Sequence, residues 1–256
     1  MHGHGPEEHT PGPHPLYDTT TPVRVAYAML GAVRYVARIL GWLVAIIVLP
    51  VVLASIVGNF GLLVGITVDL LAILWVWLWL PRSAHGAFAA GHFANATRRY
   101  RILGAVTRSA ERERAVLLSR IGCAIAATEL DRADRLLGAI DAASLDAQER
   151  AVWLNNRACV VLARGGDPHA ALALVDEASA LRPDVPALQH TRGMALLAVG
   201  RVDDAIAVLD GMRAAGDLGP RLEADRCREL ALAWTKKGET AYAEDYRLRA
   251  DALTAR

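Results

Sequence analysis

The sequence has little cysteine, few aromatic residues and no excess of either charge. Its three cysteines, Cys123, Cys159 and Cys227, are odd in number and far apart, which argues against a disulfide framework and leaves no Cys-x-x-Cys metal motif. A formal net charge of +1 argues against a general nucleic-acid-binding protein. Phosphate-binding loops, GxSxG elbows and HExxH zinc motifs are also absent. We therefore expect neither catalysis nor a metal or cofactor site, and no nucleic-acid partner.

The amino-terminal region divides into a tail and a short helix. Residues 1–20 are rich in proline and glycine and have no apolar period, which predicts a disordered tail. The tail contains four histidines, His2, His4, His9 and His14, but it has no cysteine and no helical spacing that would hold them in a fixed metal-binding geometry. We therefore favour a solvated tail over metal binding. Thr21 before Pro22 is a typical helix start and predicts a juxtamembrane helix over 21–38.

A long apolar block follows this helix. Residues 39–81 contain a single charged side chain, Asp69. With a rise of about 1.5 Å per residue, one helix of this length would be about twice as long as the hydrocarbon core of a bilayer is thick. Turn-forming residues lie at the middle of the block, over 58–61. The block therefore predicts a transmembrane hairpin with spans at 39–57 and 62–80.

The charges that flank the hairpin predict its orientation. Arginines precede the first span and follow the second, whereas the connecting turn is uncharged. By the positive-inside rule, both chain ends should lie in the cytoplasm, with the hairpin in the bacterial inner membrane or another plasma membrane. Residues 82–120 carry eight arginines and two acidic residues, which suits contact with anionic lipid of the inner leaflet. We expect an integral membrane protein with membrane lipids among its partners.

Small residues recur every fourth position in the spans. Gly61, Gly65 and Asp69 share one stripe of the second span, and Ala54 and Gly58 form a similar stripe on the first. Such stripes let helix backbones approach closely. We interpret them as transmembrane packing within the hairpin. The alternative is a homo-oligomer formed through the glycine pair.

The only acidic residue of the block is Asp69. An ionised carboxylate is energetically unfavourable inside a bilayer, so Asp69 needs either a polar partner or a proton. One hypothesis is a structural lock, in which a protonated Asp69 donates to the carbonyl of Ile46, a group that Pro50 leaves without its helical N–H partner. A contact with another membrane protein is a second hypothesis. Transport is the least favoured, because two spans with one acid form no evident pathway.

Small and apolar residues recur with a period of 34 residues in the carboxyl-terminal part. Alanine-rich segments with helical spacing and frequent breaks predict helices, and nothing there is typical of a strand. Three pairs keep the period in the same order: Gly166 with Gly200, Ala171 with Ala205, and Val175 with Leu209. This part resembles the tetratricopeptide-repeat (TPR) family, whose unit is two helices joined by a small-residue turn.

The resemblance covers roughly 90–253 and implies an all-α fold, with the hairpin followed by a right-handed TPR-like α-solenoid of about four helix pairs. Residues 82–113 should form a basic juxtamembrane helical linker with a half repeat, whose first helix continues the second span. The TPR-like repeats occupy 114–253. Glu129 at a turn position and Arg247 at a packing position depart from the family pattern. The predicted units are 114–143, 151–183, 186–216 and 222–253.

The resemblance also implies a binding surface, because first helices line an inner groove that holds peptides or a partner's helix. The groove candidates for partner binding are Asn155, Asn156, Cys159, His190, Met194 and Arg228. Helical projection adds Val116, Ser119 and Leu232. For the two asparagines, hydrogen bonds inside the array and hydrogen bonds to a bound peptide both stay open. The lysine and asparagine set with which some family members hold a terminal carboxylate is not matched here.

These observations predict a membrane-anchored TPR scaffold or adaptor that recruits or positions a partner protein at the cytoplasmic face. The alternative is an accessory subunit of a membrane protein complex that is bound mainly through its two transmembrane helices.

Overall fold

The computed structural model describes residues 41, 47–48, 50–107, 109–216 and 218–254. The predicted tail, the predicted juxtamembrane helix and part of the predicted first span lie outside these residues. The described residues form helices and turns without a strand, which confirms the all-α class for this part of the chain. The chain divides into two compact units, and the boundary falls between Ile66 and Thr67.

The first unit contains a sharp helical turn. Residues 50–57 are helical, Gly58 has a left-handed backbone with φ of +65°, and helix α1 begins at the next residue and spans Asn59–Leu74. Glycine adopts this conformation without steric cost, which is why it commonly ends a helix. The predicted turn over 58–61 is therefore one residue long, because helix α1 includes the other three positions.

Two glycines of helix α1 allow the helices on either side of this turn to pack closely. A Cβ atom at Gly61 would collide with the backbone carbonyl of Leu53 and lie 3.1 Å from the backbone nitrogen of Ala54. A Cβ atom at Gly65 would lie 2.6 Å from the Cα of Pro50. No side chain fits at these distances, so the two backbones touch only because both positions are glycine.

Helix α1 belongs to a continuous helical stretch over Asn59–Ala89, which is long enough to cross a membrane and contains an 18-residue window with a mean hydropathy of 2.2. No second stretch in the described residues passes the same test. A π-helical turn at Trp75–Trp79 joins helix α1 to helix α2, which spans Leu80–Ala89. The helix therefore passes through Pro81, because a wider turn just before a proline relieves the clash of its ring with the preceding turn.

From helix α2 onward, the described residues form ten α-helices in five consecutive pairs. Each pair has a first helix, a tight turn and a second helix. The pairs are α2 with α3 (Phe93–Val106), α4 (Ala110–Ala126) with α5 (Leu130–Gly138), α6 (Ala147–Ala163) with α7 (Pro168–Leu181), α8 (Pro186–Ala198) with α9 (Val202–Gly211), and α10 (Gly219–Lys236) with α11 (Thr240–Thr254). The predicted half repeat is a whole pair here, with α2 as its first helix.

The five turns share one backbone geometry. Each has a single left-handed residue, and the N–H of the following residue donates to the carbonyl five residues before it at 2.8–3.0 Å. This is the bond that closes a Schellman motif and ends a helix. The left-handed residues are Gly91, Thr128, Gly165, Gly200 and Gly238. The sequence prediction placed the second turn at Glu129, one residue too late, and the third at Gly165 and Gly166, of which Gly165 is the left-handed residue.

A repeated core runs through the second helices. An alanine on each is at most 1% exposed, and it follows the left-handed residue by five positions, or by six in the third pair, whose turn has one extra residue. These alanines are Ala96, Ala133, Ala171, Ala205 and Ala243. Four positions later come the buried side chains of Tyr100, Leu137, Val175 and Leu209. The last pair has the exposed Arg247 instead, as expected for a terminal repeat with one solvated face.

Thr128 is the least favourable of the five left-handed turn residues, because it is β-branched and has a backbone φ of +59°. Left-handed backbone is unfavourable for a β-branched residue. We expect Thr128→Gly to raise the free energy of unfolding by about 1 kcal/mol. Urea denaturation of the full chain in mild detergent, followed by far-UV circular dichroism, measures this. The reciprocal change Gly200→Thr should lower the same quantity by a similar amount, and a destabilised Thr128→Gly protein would contradict the interpretation.

Candidate functional site

The first helices of the pairs line a cavity of about 580 Å³. Its walls come from helices α2, α4, α6, α8 and α10, with further residues from the segment that leads into α10. The six residues predicted from the sequence for partner binding all lie in this lining: Asn155, Asn156, Cys159, His190, Met194 and Arg228. The structure thus brings together residues from three successive first helices, at a volume typical of ligand sites.

The repeat geometry explains why these helices contribute. Four lining residues occupy the same repeat position, six residues before the left-handed residue of their turn. They are His85, Gly122, Cys159 and Met194. The fifth member of the series, Leu232, is 46% exposed and does not line the cavity. Two other candidates are also wrong: Val116 is buried in a cluster with Tyr100, and Ser119 is absent from the lining.

The two neighbouring asparagines behave differently. Asn156 is 7% exposed and its Nδ2 donates to the backbone carbonyl of Leu118 at 3.3 Å. Its amide therefore ties helix α6 to helix α4. The Oδ1 atom of Asn155 is buried and accepts no hydrogen bond within the described residues. Buried polar atoms rarely stay unpaired, so Asn155 is the asparagine with capacity for a ligand.

Helix α8 contributes a neutral imidazole and a hydroxyl that lies next to a thiol of helix α6. Burial lowers the pKa of His190, although the negative charge of Asp225 works in the opposite direction. Its Nε2 atom is buried and has no hydrogen-bond partner in the described part of the chain. Thr191 donates to the carbonyl of Ala187 and lies 3.5 Å from the sulfur of Cys159. Burial raises the pKa of the Cys159 thiol, which therefore stays protonated.

Helix α10 supplies charged groups, of which only Arg228 was predicted. Asp225 Oδ1 lies 2.6 Å from Nη1 of Arg228, and its other oxygen lies 3.9 Å from Nε of Arg221. Burial raises the pKa of Glu229, and the negative charge of Asp225 adds to this effect. The charged residues of this helix that line the cavity recur at helical spacing: Arg221, Asp225, Arg228 and Glu229. This spacing was the signal available in the sequence, but a charged helix face is usually exposed to solvent.

Arg221 is held against the first pair of helices. Its Nη1 donates to the carbonyl of Phe88 at 2.8 Å. Its guanidinium carbon lies 4.9 Å from the ring centre of Phe88 and 4.4 Å from that of Phe93. Burial lowers the pKa of Arg221, while Asp225 works in the opposite direction. This cation–π arrangement connects helix α10 to the α2–α3 pair and closes one side of the cavity.

The predicted transmembrane packing residues take separate roles. Gly61 and Gly65 are buried and make the close contacts described above, and Ala54 takes part through its backbone. Gly58 lies at the turn itself and is exposed, so it does not belong to the packed stripe. The predicted stripe therefore consists of Gly61 and Gly65 in the first unit.

Asp69 is half-buried, and its Oδ2 atom is buried without a hydrogen-bond partner among the described residues. The carbonyl of Ile46, the acceptor in the lock hypothesis, lies outside these residues. No group of three or more potential metal ligands occurs in the described part of the chain.

Comparisons with known proteins give weak similarities to solved helical repeats. No protein-family model matches the chain. No curated protein matches it either. A structure named MamA MSR-1 C2 is 18% identical, covers 70% of this chain and 97% of its own, and has a TM-score of 0.40. Two structures of kinesin light chain TPR-like repeats from Podosopora anserina are 22% and 21% identical, each covers 69% of this chain and 93% of its own, and the TM-scores are 0.44 and 0.43. The description of the array as TPR-like rests on the turns, core positions and pairing described above.

Proposed function

We propose that this protein is a membrane-anchored adaptor whose TPR-like array recruits or positions a partner protein at the cytoplasmic face of the membrane. The observation that carries the proposal is the cavity, which gathers side chains from five first helices and leaves polar atoms of Asn155 and His190 unpaired within the described residues. A surface built from equivalent positions of successive repeats suits an extended segment of another protein.

The apolar helical stretch supports the membrane anchor. Its large side chains are exposed along most of its length, which in water would be unfavourable and in lipid is not. Its π-helical turn contains Trp75, Trp77 and Trp79, and Arg112 lies 3.8 Å from the ring centre of Trp77 while Arg99 lies 5.6 Å from that of Trp79. Tryptophan and arginine together are typical of the lipid–water interface. We propose that the stretch is the second span of the predicted hairpin, that lipid headgroups surround these residues, and that both chain ends are cytoplasmic.

Photo-crosslinking in native membranes tests the adaptor function. A photoreactive amino acid at Met194 in the cavity should form a covalent adduct with one protein, identified by mass spectrometry. The same group at Ala173, an exposed position on the second helix of the neighbouring pair, should form none. Adducts of equal yield from both positions would contradict binding in the cavity.

A matched pair of cavity variants sharpens this experiment. A Cβ atom at Gly122 or at Gly138 meets nothing within 4 Å, but only Gly122 lines the cavity. Gly122→Phe should therefore fill the cavity and abolish the adduct at Met194, whereas Gly138→Phe should leave it. An adduct that survives Gly122→Phe would show that the partner does not occupy the cavity.

The accessory-subunit alternative is favoured by one observation, the buried and unpaired Oδ2 of Asp69 in the described part of the apolar helix. An acid in lipid without an internal partner suits a contact with another membrane protein. This alternative predicts adducts from the exposed position Leu70 and none from Met194.

A further inference from the structure

The cations that line the cavity are already engaged by the protein itself. Arg228 forms an ion pair with Asp225 at 2.6 Å. Arg221 donates to the carbonyl of Phe88, and its guanidinium lies against two aromatic rings. A planar cation stacked on rings and bonded to a backbone carbonyl has little capacity left for an anion. The cavity is therefore poorly suited to a carboxylate or phosphate.

Three side chains that line the cavity, those of Asn155, His190 and Glu229, have polar atoms for which the described residues supply no partner. The Oδ1 of Asn155 and the Nε2 of His190 are buried without hydrogen-bond partners. Because burial lowers the pKa of His190, its imidazole is neutral and offers a lone pair. Glu229 has no ion-pair partner in the described part of the chain, and burial together with Asp225 raises the pKa of its carboxyl. These three groups come from helices α6, α8 and α10. The Oδ1 of Asn155 and the carboxylate of Glu229 require a hydrogen-bond donor, preferably a charged one, and a neutral His190 accepts a hydrogen bond at its unprotonated ring nitrogen.

The rest of the lining suits the stem of a long basic side chain. Met194, Ile125 and Leu222 lie in the same lining and present apolar surface. Lysine and arginine pack their methylene chains on such surfaces while the charged end reaches polar groups. The cavity volume of about 580 Å³ also leaves room for the backbone that carries the side chain.

We propose that the cavity binds a lysine or arginine side chain from an extended segment of the partner protein, with the charged end held by Glu229, Asn155 and His190. This inference rests on the proposed adaptor function and specifies the chemistry of its partner. A cation at Glu229 offsets the cost of burying its carboxylate and supplies a hydrogen bond to the Oδ1 of Asn155, which has no partner within the described residues. A charge-assisted hydrogen bond is stronger than a hydrogen bond between neutral groups, so one basic residue should govern the affinity.

Short alanine peptides with lysine, norleucine or glutamate at the centre test this inference. They are fluorescently labelled and titrated against the full chain in lipid nanodiscs, and anisotropy gives each Kd. Norleucine keeps the methylene chain of lysine and lacks the charge. We expect the lysine peptide to bind about tenfold more tightly than the norleucine peptide, and the glutamate peptide to bind most weakly. Equal affinity for lysine and norleucine, a preference for glutamate, or no measurable binding would overturn the inference.

Two matched variants identify the group that holds the charge. Glu229→Gln should reduce the preference for lysine to about twofold or less, because a neutral amide loses the charge attraction. Glu239→Gln changes an exposed carboxylate outside the cavity and should keep the full preference. A preference that survives Glu229→Gln would overturn the assignment.

Photo-crosslinking at Met194 separates this inference from the adaptor function on which it rests. If the wild-type adduct forms and Glu229→Gln abolishes it, both are supported. If the adduct persists in Glu229→Gln, the basic-residue inference fails and the adaptor function stands. If no adduct forms in the wild-type protein, the adaptor function itself fails.

Discussion

Replacing Arg226 by alanine should lower the free energy of unfolding by about 3 kcal/mol, the largest effect that we expect from one substitution in the array. The Arg226 side chain is completely buried. It makes two hydrogen bonds to Glu223, at 2.8 Å and 2.7 Å, and a third to the backbone carbonyl of Leu209 at 3.3 Å. Asp210 lies 3.5 Å away. Alanine would leave a cavity, an unpaired carbonyl and a partly buried Glu223 carboxylate whose remaining cation, Arg213, lies 3.5 Å away.

Urea denaturation of the full chain in detergent measures this effect, and Arg247→Ala is the matched control. Arg247 also pairs with a glutamate three residues earlier, Glu244, but both side chains are more than half exposed. Exposed pairs contribute little, so the control should change the free energy of unfolding by less than about 0.5 kcal/mol. Similar losses in the two variants would contradict the importance of burial at Arg226.

Adding one methyl group at Gly193 should cost about 2 kcal/mol of unfolding free energy. A Cβ atom there would lie 2.6 Å from Cγ and Cδ2 of Leu209, whose side chain is fully buried and has no room to withdraw. Thermal and urea denaturation of Gly193→Ala in detergent would measure the loss. An unchanged midpoint would mean that helices α8 and α9 adjust to the added methyl group.

The preceding pair suggests a compensating change. Ala158 occupies the position equivalent to Gly193, and Val175 occupies that of Leu209, and both are fully buried in one cluster. A larger residue on the first helix thus accompanies a smaller one on the second. We expect the double variant Gly193→Ala, Leu209→Val to lose less stability than the sum of the two single variants. Strict additivity would show that the two positions do not compete for the same space.

The repeat period could be predicted because it reflects packing. The left-handed turn residues could be located only to within one residue. The 34-residue spacing holds between the third and fourth pairs, where Ala171 and Ala205 are both buried on second helices. At the second turn, the chain accepts a strained Thr128 in place of glycine, so the most recognisable signal is missing. At the third turn, one extra residue, Gly166, follows the left-handed Gly165. Gly166 lies five residues before Ala171, which is the spacing of the left-handed residue in the other turns, so the sequence pattern points to the wrong glycine.

The site was predictable where the first helices repeat regularly, and not where distant helices meet. Asn155, His190 and Met194 line the cavity as helical projection indicated. The contact of Arg221 with Phe88 joins residues far apart in sequence, and no local pattern predicts it. Glu229 was missed for a similar reason, since a charged residue on an amphipathic helix is ordinarily solvated and only the assembled array buries it.

Three cysteine thiols, one in the first helix of each of three helix pairs, can serve as site-specific probes of local unfolding. Cys123 and Cys227 are fully enclosed, and Cys159 borders the cavity. An alkylating reagent should modify the first two only after their own helix pair has separated, since an enclosed sulfur reacts only through local opening. The order in which the three become modified would thus trace the opening of the array along the chain, and protection of Cys159 alone would report an occupied cavity.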